Sequence, residues 1–508
     1  MEELPQGGNS PDGGHETGFG TAASRLPSGY SRCMEALGIV IMAAGKGTRL
    51  KSSRPKVLHA VGGKLLLQHV IDAALQIVPA SAIQIVIGHQ AEMVRQAVQH
   101  TGVRFVLQAE QLGTGHALQC VKQSYLADRV APPENLIVLS GDVPLIRPET
   151  IDRLWQTHTR ESAAMTILTA VPDNPHGYGR VLRTAPGSAE VRAIVEQKSL
   201  TPEQLAQPEQ ISEINSGIYA FRTKSLFQSL DALTNTNSAG EFYLTDVAAL
   251  LTSAGERVVA VAADSVDEVL GANTIAEMMH LDAALRRATA DRLMAAGVTI
   301  FRPDTVVIDS TVEVGPDTVV EPYVQLLGKT RIGSHCRIRS YSTLENSTVG
   351  DGVLIRNGCV LDSAEVASNA LLGPYAHLRP QSRIGEGAHV GNFVETKKAT
   401  LGAGSKANHL SYLGDAEIGA GVNIGAGVIT CNYDGVNKHV TRIGDRSFIG
   451  SDSTLVAPLT VESESYVAAG SCITETVPSG ALALGRARQV TKPGWAERRK
   501  AEQRSQKD

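Results

Sequence analysis

Aromatic side chains are scarce in this 508-residue chain: 8 Phe, 11 Tyr and 2 Trp, 4% of the total, against 49 Gly. That scarcity excludes a core built around large rings and points to one packed in regular layers by aliphatic and small side chains. Cysteine is scarce too. The six, at 33, 120, 336, 359, 431 and 472, show no C-x-x-C spacing and no clustering with histidine. A disulfide scaffold is thereby excluded, and the cysteines read as thiols of a reducing compartment. The longest apolar stretch, Leu37–Ala44, falls well short of the roughly 20 residues that span a bilayer, and the first 30 residues carry no apolar signal-type segment. Neither sign of charge prevails, with 47 Lys and Arg against 52 Asp and Glu. No global field therefore draws the chain to nucleic acid or to an anionic membrane. The expectation is a cytoplasmic protein of about three structural units.

Residues 1–36 are rich in Gly, Pro and Ser and have no hydrophobic period, so a disordered extension is expected there. Met34, just ahead of the apolar run at 37, is the expected initiator. From 37 to about 273, short apolar runs (Ile39–Met42, Ile83–Ile87, Phe105–Gln108, Leu136–Leu139) alternate with helical patterns around Leu66–Ile77 and from Ala91. This alternation predicts an α/β, mostly parallel, Rossmann-like sheet. Residues 274–297 predict a linker helix with an apolar stripe through Ile275, Met278, Leu281, Leu285 and Ala288, closed by Gly297.

Beyond Gly297 the period becomes six. Aliphatic residues stand at Val314, Val320, Leu326, Ile332, Ile338 and Leu344, and again, after five-residue steps, through Leu378, Ile384 and Val390 to Ile473. Small residues such as Thr318, Cys336, Ser342, Ala388, Ser405 and Ser453 recur four positions later. Hexapeptide repeats of this kind specify a parallel β-helix with three sides and about 18 residues per coil, hence roughly ten coils over 298–490. A solvated tail follows from Thr491.

A glycine-rich loop, Ala43-Ala44-Gly45-Lys46-Gly47-Thr48-Arg49-Leu50, follows the first strand directly. Glycines there free backbone N–H groups for a phosphate chain, and Lys46 and Arg49 add positive charge. Leu50 stands where a dinucleotide fingerprint wants glycine, and the G-K-[ST] of a Walker loop is missing. What remains is G-x-G-T-x-R followed by Pro55-Lys56-Val57-Leu58. With Gln108-Ala109-Glu110-Gln111-Leu112-Gly113-Thr114-Gly115, Gly141-Asp142-Val143-Pro144-Leu145 and Gly177-Tyr178-Gly179-Arg180 in that order, the chain resembles the sugar-1-phosphate nucleotidyltransferase family. Together with the hexapeptide half, the resemblance narrows to the bifunctional branch, with a left-handed β-helix, and covers residues 37 to about 495.

The resemblance implies acetyl transfer from acetyl-CoA to glucosamine-1-phosphate. Uridylyl transfer from UTP to N-acetylglucosamine-1-phosphate then makes UDP-N-acetylglucosamine for peptidoglycan and lipopolysaccharide synthesis. It places Met42, Ala43, Gly45, Arg49 and Lys56 on the nucleotide, Gln108, Gly113 and Thr114 on the uracil, and Ser140 and Gly141 beside them. Gly179, Glu196 and Asn215 fall on the amino sugar, and Asp142 and Asn273 become ligands of Mg²⁺, which favours a few oxygen donors plus substrate phosphates. In the repeat half it implies a homotrimer with sites where neighbouring subunits meet. His409 is the base for the glucosamine amine, histidine being suited to take a proton near neutral pH. Arg379 and Lys397 grip the sugar phosphate, with Tyr412 and Asn423 on the sugar. Ala426, Asn432, Tyr433, Ser451, Ala469 and Arg486 fall to acetyl-CoA. Three alternatives stand beside this reading: a nucleotidyltransferase with a merely regulatory or oligomerising solenoid, a non-catalytic scaffold, and a zinc site on His377, His389 and His409, which would need all three brought together.

Overall fold

The computed structural model describes residues 37–185, 187–197, 200–201, 212–237 and 240–505; the expectations for residues 1–36 lie outside them. Strands β1 (Leu37–Ala43), β2 (Ile83–Ile87), β3 (Arg104–Leu107), β4 (Asn135–Ser140), β5 (Met165–Ala170), β6 (Arg180–Arg183), β7 (Val191–Val195), β8 (Ile214–Arg222) and β9 (Val258–Ala262) form one sheet. Its main order is β9-β5-β8-β4-β1-β2-β3, with β6 attached to β8 and β7 to β6. The pairs β1–β4, β1–β2, β2–β3 and β9–β5 are parallel, whereas β8 runs antiparallel between β4 and β5. The sheet is therefore mixed at its centre. Ile39, Val40 and Ile41 are all fully buried because helices cover both faces, which is why these strands read as continuous apolar runs. Met42 at the end of β1 and Ser140 at the end of β4 are register partners, and both chains turn there into loops at the carboxyl edge, where open α/β sheets bind ligands.

Helix α1 (Ile275–Ala295) leads out of this half. Thr274 and Glu277 close its N-terminus as a reciprocal capping box, and Gly297, with φ 93°, follows its last turn. The buried stripe differs from the expected one. Met278 and Leu281 are buried, but Ile275 is 47% exposed, and the stripe continues through Thr289, Ala290 and Leu293. The helix serves two neighbours: its first half packs with Val61 and Leu66, its second half on the first coils of the repeat half.

From Thr299–Ile300 to Leu482–Ala483 the chain winds through three parallel sheets of eleven, ten and nine short strands. This is the left-handed parallel β-helix. Val320, Ile338, Ile355, Leu372 and Val390 stack inside it, each fully buried. The small residues do more than turn corners. Thr318 Oγ1 donates to Gly333 O at 2.8 Å and accepts from Cys336 N at 3.0 Å, so buried hydroxyls stitch one coil to the next. Along the third sheet the outward row reads Glu313-Arg331-Thr348, Glu365-Arg383-Thr400 and Glu417-Arg442-Thr460, register partner on register partner. Each Glu pairs with the next Arg at 3.0–3.4 Å. Exposed pairs of this sort contribute under about 1 kcal/mol each, but they keep that face polar. The corner between the other two sheets carries Tyr323 stacked on Tyr341 at 5.2 Å and Tyr375 on Phe393 at 5.7 Å, all roughly half exposed or more.

The expected solvated tail is exposed but helical, over Trp495–Ser505. Its Ala, Glu, Arg, Lys and Gln are strong helix formers. Among the described residues no helix is long and apolar enough to cross a membrane, and Cys120, Cys336, Cys359, Cys431 and Cys472 are free thiols.

Candidate functional site

The loop after β1 opens a cleft of about 550 Å³ at the carboxyl edge of the sheet. Of the residues singled out from the sequence, Met42, Ala43, Gly45, Lys46, Arg49, Lys56, Gln108, Gly113, Thr114, Ser140, Asp142 and Asn273 line it, and Gln111 and Glu241 join them. Gly45 has nothing within 4 Å of where a Cβ would stand, while Gly47 is in the left-handed region at φ 60°, where a Cβ would meet that of Lys56 at 2.7 Å. Only glycine brings the loop and Lys56 together in this way. Gln108 is 3% exposed and donates from Nε2 to Gly113 O at 3.0 Å. Thr114 Oγ1 accepts from Leu244 N at 3.0 Å, which pins the helix that begins there. Gly141 lies just behind, its N–H donating to Met42 O at 2.9 Å.

The charges converge on two oxygen donors. Lys56 Nζ pairs with Asp142 and donates to Asn273 Oδ1 at 2.9 Å, and Arg49 Nη2 reaches the same oxygen at 2.8 Å. Burial pushes the Asp142 carboxyl up, but the Lys56 charge and hydrogen bonds from Lys56 and Ser140 outweigh it and hold the group below the usual range. The donor set is a carboxylate and an amide carbonyl, and it already accommodates an ammonium between its oxygens. Those are hard ligands of the kind a small dication completes with phosphates and water. Gly179, Glu196 and Asn215 form an adjoining cluster. Asn215 N donates to Gly179 O at 2.9 Å, Asn215 Nδ2 to Tyr219 Oη at 2.8 Å, and Thr245 Oγ1 to Glu196 Oε1 at 3.0 Å.

In the β-helix a second group gathers on neighbouring coils. Arg379 Nη1 donates to Glu395 Oε1 at 2.8 Å, and Tyr412 is Glu395's register partner one coil on. Lys397 Nζ lies 3.4 Å from the buried Asp415 carboxylate, which also accepts from Asn432 Nδ2. His409 stands around the corner on the adjacent sheet, where Asn423 pairs with Lys406. The register step rises there from 17 residues to 25, as from Tyr412↔Ile429 to Ile429↔Thr454. The extra residues form a loop carrying Tyr433, which donates from Oη to Gly435 O at 2.6 Å. Asp434 braces the loop. Hydrogen bonds from Asn437 N and then from His439 hold its carboxyl down at about 2. Ala426, Ser451 and Ala469 follow one another up a single corner, linked by Asp452 N to Ala426 O at 2.7 Å and Gly470 N to Ser451 O at 2.8 Å, with Arg486 near Gly470 beyond them. His377 lies on a different sheet from His389 and His409, and among the described residues no three His, Cys, Asp or Glu converge on a metal position.

Sequence reasoning gave no role to Glu395 or Asp415; their signal was a carboxylate about one coil on from Arg379 and from Lys397 respectively. Lys438, in the inserted loop, contacts Lys397, and that contact holds its ammonium below the ordinary lysine range. Nothing in the sequence spacing pointed to it.

A nucleotide-sized cleft at the switch of an α/β sheet, joined by a capped helix to a hexapeptide solenoid, defines a nucleotidyltransferase with a second, repeat-built half. The family model described as the MobA-like NTP transferase domain matches residues 39–244. The chain is 60% identical over 470 residues to the bifunctional protein GlmU of Koribacter versatilis (strain Ellin345), covering 92% of this chain and 98% of that one. It is 49% identical over 466 residues to that of Solibacter usitatus (strain Ellin6076), covering 92% and 98%. With that of Clostridioides difficile (strain 630) it shares 45% identity over 460 residues, covering 91% and 97%. The chain belongs to the family of bifunctional GlmU proteins.

Proposed function

We propose that the chain is a bifunctional, metal-dependent transferase that makes UDP-N-acetylglucosamine, with residues 37–273 performing uridylyl transfer and residues 298–490 acetyl transfer. Likeness to bifunctional proteins through both halves and almost their whole length carries this reading.

In the first half, backbone N–H groups of the loop at 43–49 cradle the triphosphate, and Arg49 and Lys56 neutralise it. Gln108, Gly113 and Thr114 receive the base, and Gly179, Glu196 and Asn215 hold the sugar. Asp142 and Asn273 would hold Mg²⁺, which supplies charge neutralisation of the phosphates when bound. A phosphate oxygen of N-acetylglucosamine-1-phosphate attacks the α-phosphorus of UTP in line, and pyrophosphate leaves. Such transfer asks for alignment and charge neutralisation more than for a protein base. Lys56 moves with the chemistry: its ammonium, bound to Asp142 and Asn273 in the free protein, is released toward the phosphates as they enter.

In the second half, His409 takes the proton of the glucosamine amine, Arg379 and Lys397 hold the sugar phosphate, and Tyr412 and Asn423 hold the ring. Asn432 and Tyr433 border the thioester, the column Ala426, Ser451 and Ala469 receives the pantetheine arm, and Arg486 its phosphates. These side chains are spread over two faces and an outward corner, so a closed site needs neighbouring subunits. The exposed rings of Tyr323, Tyr341, Tyr375 and Phe393 favour association at that corner into a homotrimer working in the cytoplasm. A coupled assay with glucosamine-1-phosphate, acetyl-CoA, UTP and Mg²⁺ tests the reading. UDP-N-acetylglucosamine should form only when all are present, and a protein that acts on N-acetylglucosamine-1-phosphate alone would reduce the solenoid to an appendage.

A further inference from the structure

Asn392 and His409 are register partners one coil apart, each at the end of its strand. Each is followed by a residue in the left-handed region, Phe393 at φ 57° and Leu410 at φ 50°, and Leu410 N donates to Asn392 O at 3.1 Å. The repeat thus superposes the two side chains, and His409 Nδ1 lies 2.8 Å from Asn392 Oδ1. An amide oxygen only accepts, so this contact requires the ring proton on Nδ1 and leaves the lone pair on Nε2. Among the described residues Nε2 has no protein partner.

We infer that Asn392 is a positioning residue for acetyl transfer: it selects the Nδ1–H tautomer of His409 and aims Nε2 at the substrate amine. The inference rests on His409 being the base. In the step it serves, the amine nitrogen bonds to the thioester carbonyl carbon while Nε2 takes the amine proton. The C–S bond then breaks and the proton passes to the departing thiolate. Without Asn392 the ring is free to turn and to carry its proton on Nε2, the form that cannot act as base there. His389, one coil back, is the charged group coupled to His409, and Lys406 lies on His409's own strand. Burial, then the charges of Arg356, Lys406 and His409, hold His389 below the ordinary imidazole range. The following strand, Asn423–Ile424, brings no ionisable group.

Full-length Asn392→Ala, Asn392→Asp and His409→Ala test this, with both activities, sedimentation and the pH profile of acetyl-transfer kcat measured on each. Asn392→Ala should lower acetyl-transfer kcat about ten- to a hundredfold, part of the 10²–10⁴ that a general base supplies. KM for both substrates should stay within about twofold. Asn392→Asp, which keeps the acceptor and the shape, should recover most of the rate while moving the acid limb up by about one pH unit, because a carboxylate favours the imidazolium. An unchanged kcat in Asn392→Ala, a loss confined to KM, or an unshifted limb in Asn392→Asp overturns the inference; the last applies even if the alanine variant misfolds. Retained acetylation in His409→Ala would instead overturn the assignment of the base itself.

Discussion

Gly63 lies so close to Asp309 that a Cβ on it would stand 2.2 Å from Asp309 Cγ. Gly63 sits at φ 78° in the hairpin Ala60–Val61/Lys64–Leu65 of the first half, and Asp309 belongs to the first coil of the second. Arg286 of α1 donates to Asp309 Oδ1 at 2.7 Å, Gly328 N to its Oδ2 at 2.7 Å, and Ser310 N to Gly62 O at 2.9 Å. Hairpin, linker helix and first coil therefore meet at one buried carboxylate.

Gly63→Ala should loosen that junction. Left-handed backbone at a residue with a side chain costs on the order of 1–3 kcal/mol, and Asp309 must also move. A lowered first unfolding transition and faster proteolysis near residue 300 are expected. An unchanged melt would show that the two halves do not lean on this contact.

Asp142→Ala should reduce uridylyl transfer to background and leave acetyl transfer nearly intact, because the two groups of residues belong to separately packed cores. Parallel loss of both activities would point to unfolding or to a wrong division of labour.

His409→Ala should lower acetyl transfer by about 10²–10⁴-fold, the range of a lost general base, with uridylyl transfer unaffected. Near-normal acetylation would remove His409 from the base role.

His158 gives a pH signature unrelated to either reaction. It is 2% exposed, with Nδ1 2.9 Å from Thr166 Oγ1. Burial, and then Arg222, lower its pKa to about 4. Its folded value lies below the unfolded one of about 6.5, so its contribution is complete above pH 6.5. It is lost as pH falls toward 4, where the unfolded chain takes up a proton that the native ring refuses. Linkage puts the loss at roughly 3 kcal/mol. Urea titrations at pH 7 and 4.5 should show it, and His158→Gln should flatten the difference. Equal slopes in both proteins would count against it.

Much of this molecule was legible in the residue order because both halves are written in short periods. The six-residue repeat from Val314 to Ile473 specified the solenoid, since one aliphatic and one small residue per side leave a chain no other way to bury them together. The loop at 43–50 with Lys56 marked a phosphate site, because only glycine permits the approach seen at Gly47. Less legible was the antiparallel β8 inside the sheet: its apolar run looks the same in either direction. The helix at Trp495–Ser505 went unread because it buries nothing and so shows no stripe.

The sequence by itself determined the two architectures and most of the chemical groups, since period and motif are local properties. Only the tertiary structure decided which of those groups meet. Lys56 against Asp142 and Asn273, Asp415 between Lys397 and Asn432, and Asn392 under His409 are contacts between residues distant in the chain. Sheet order sets the first of these and coil register the other two, and neither is a property of any one segment.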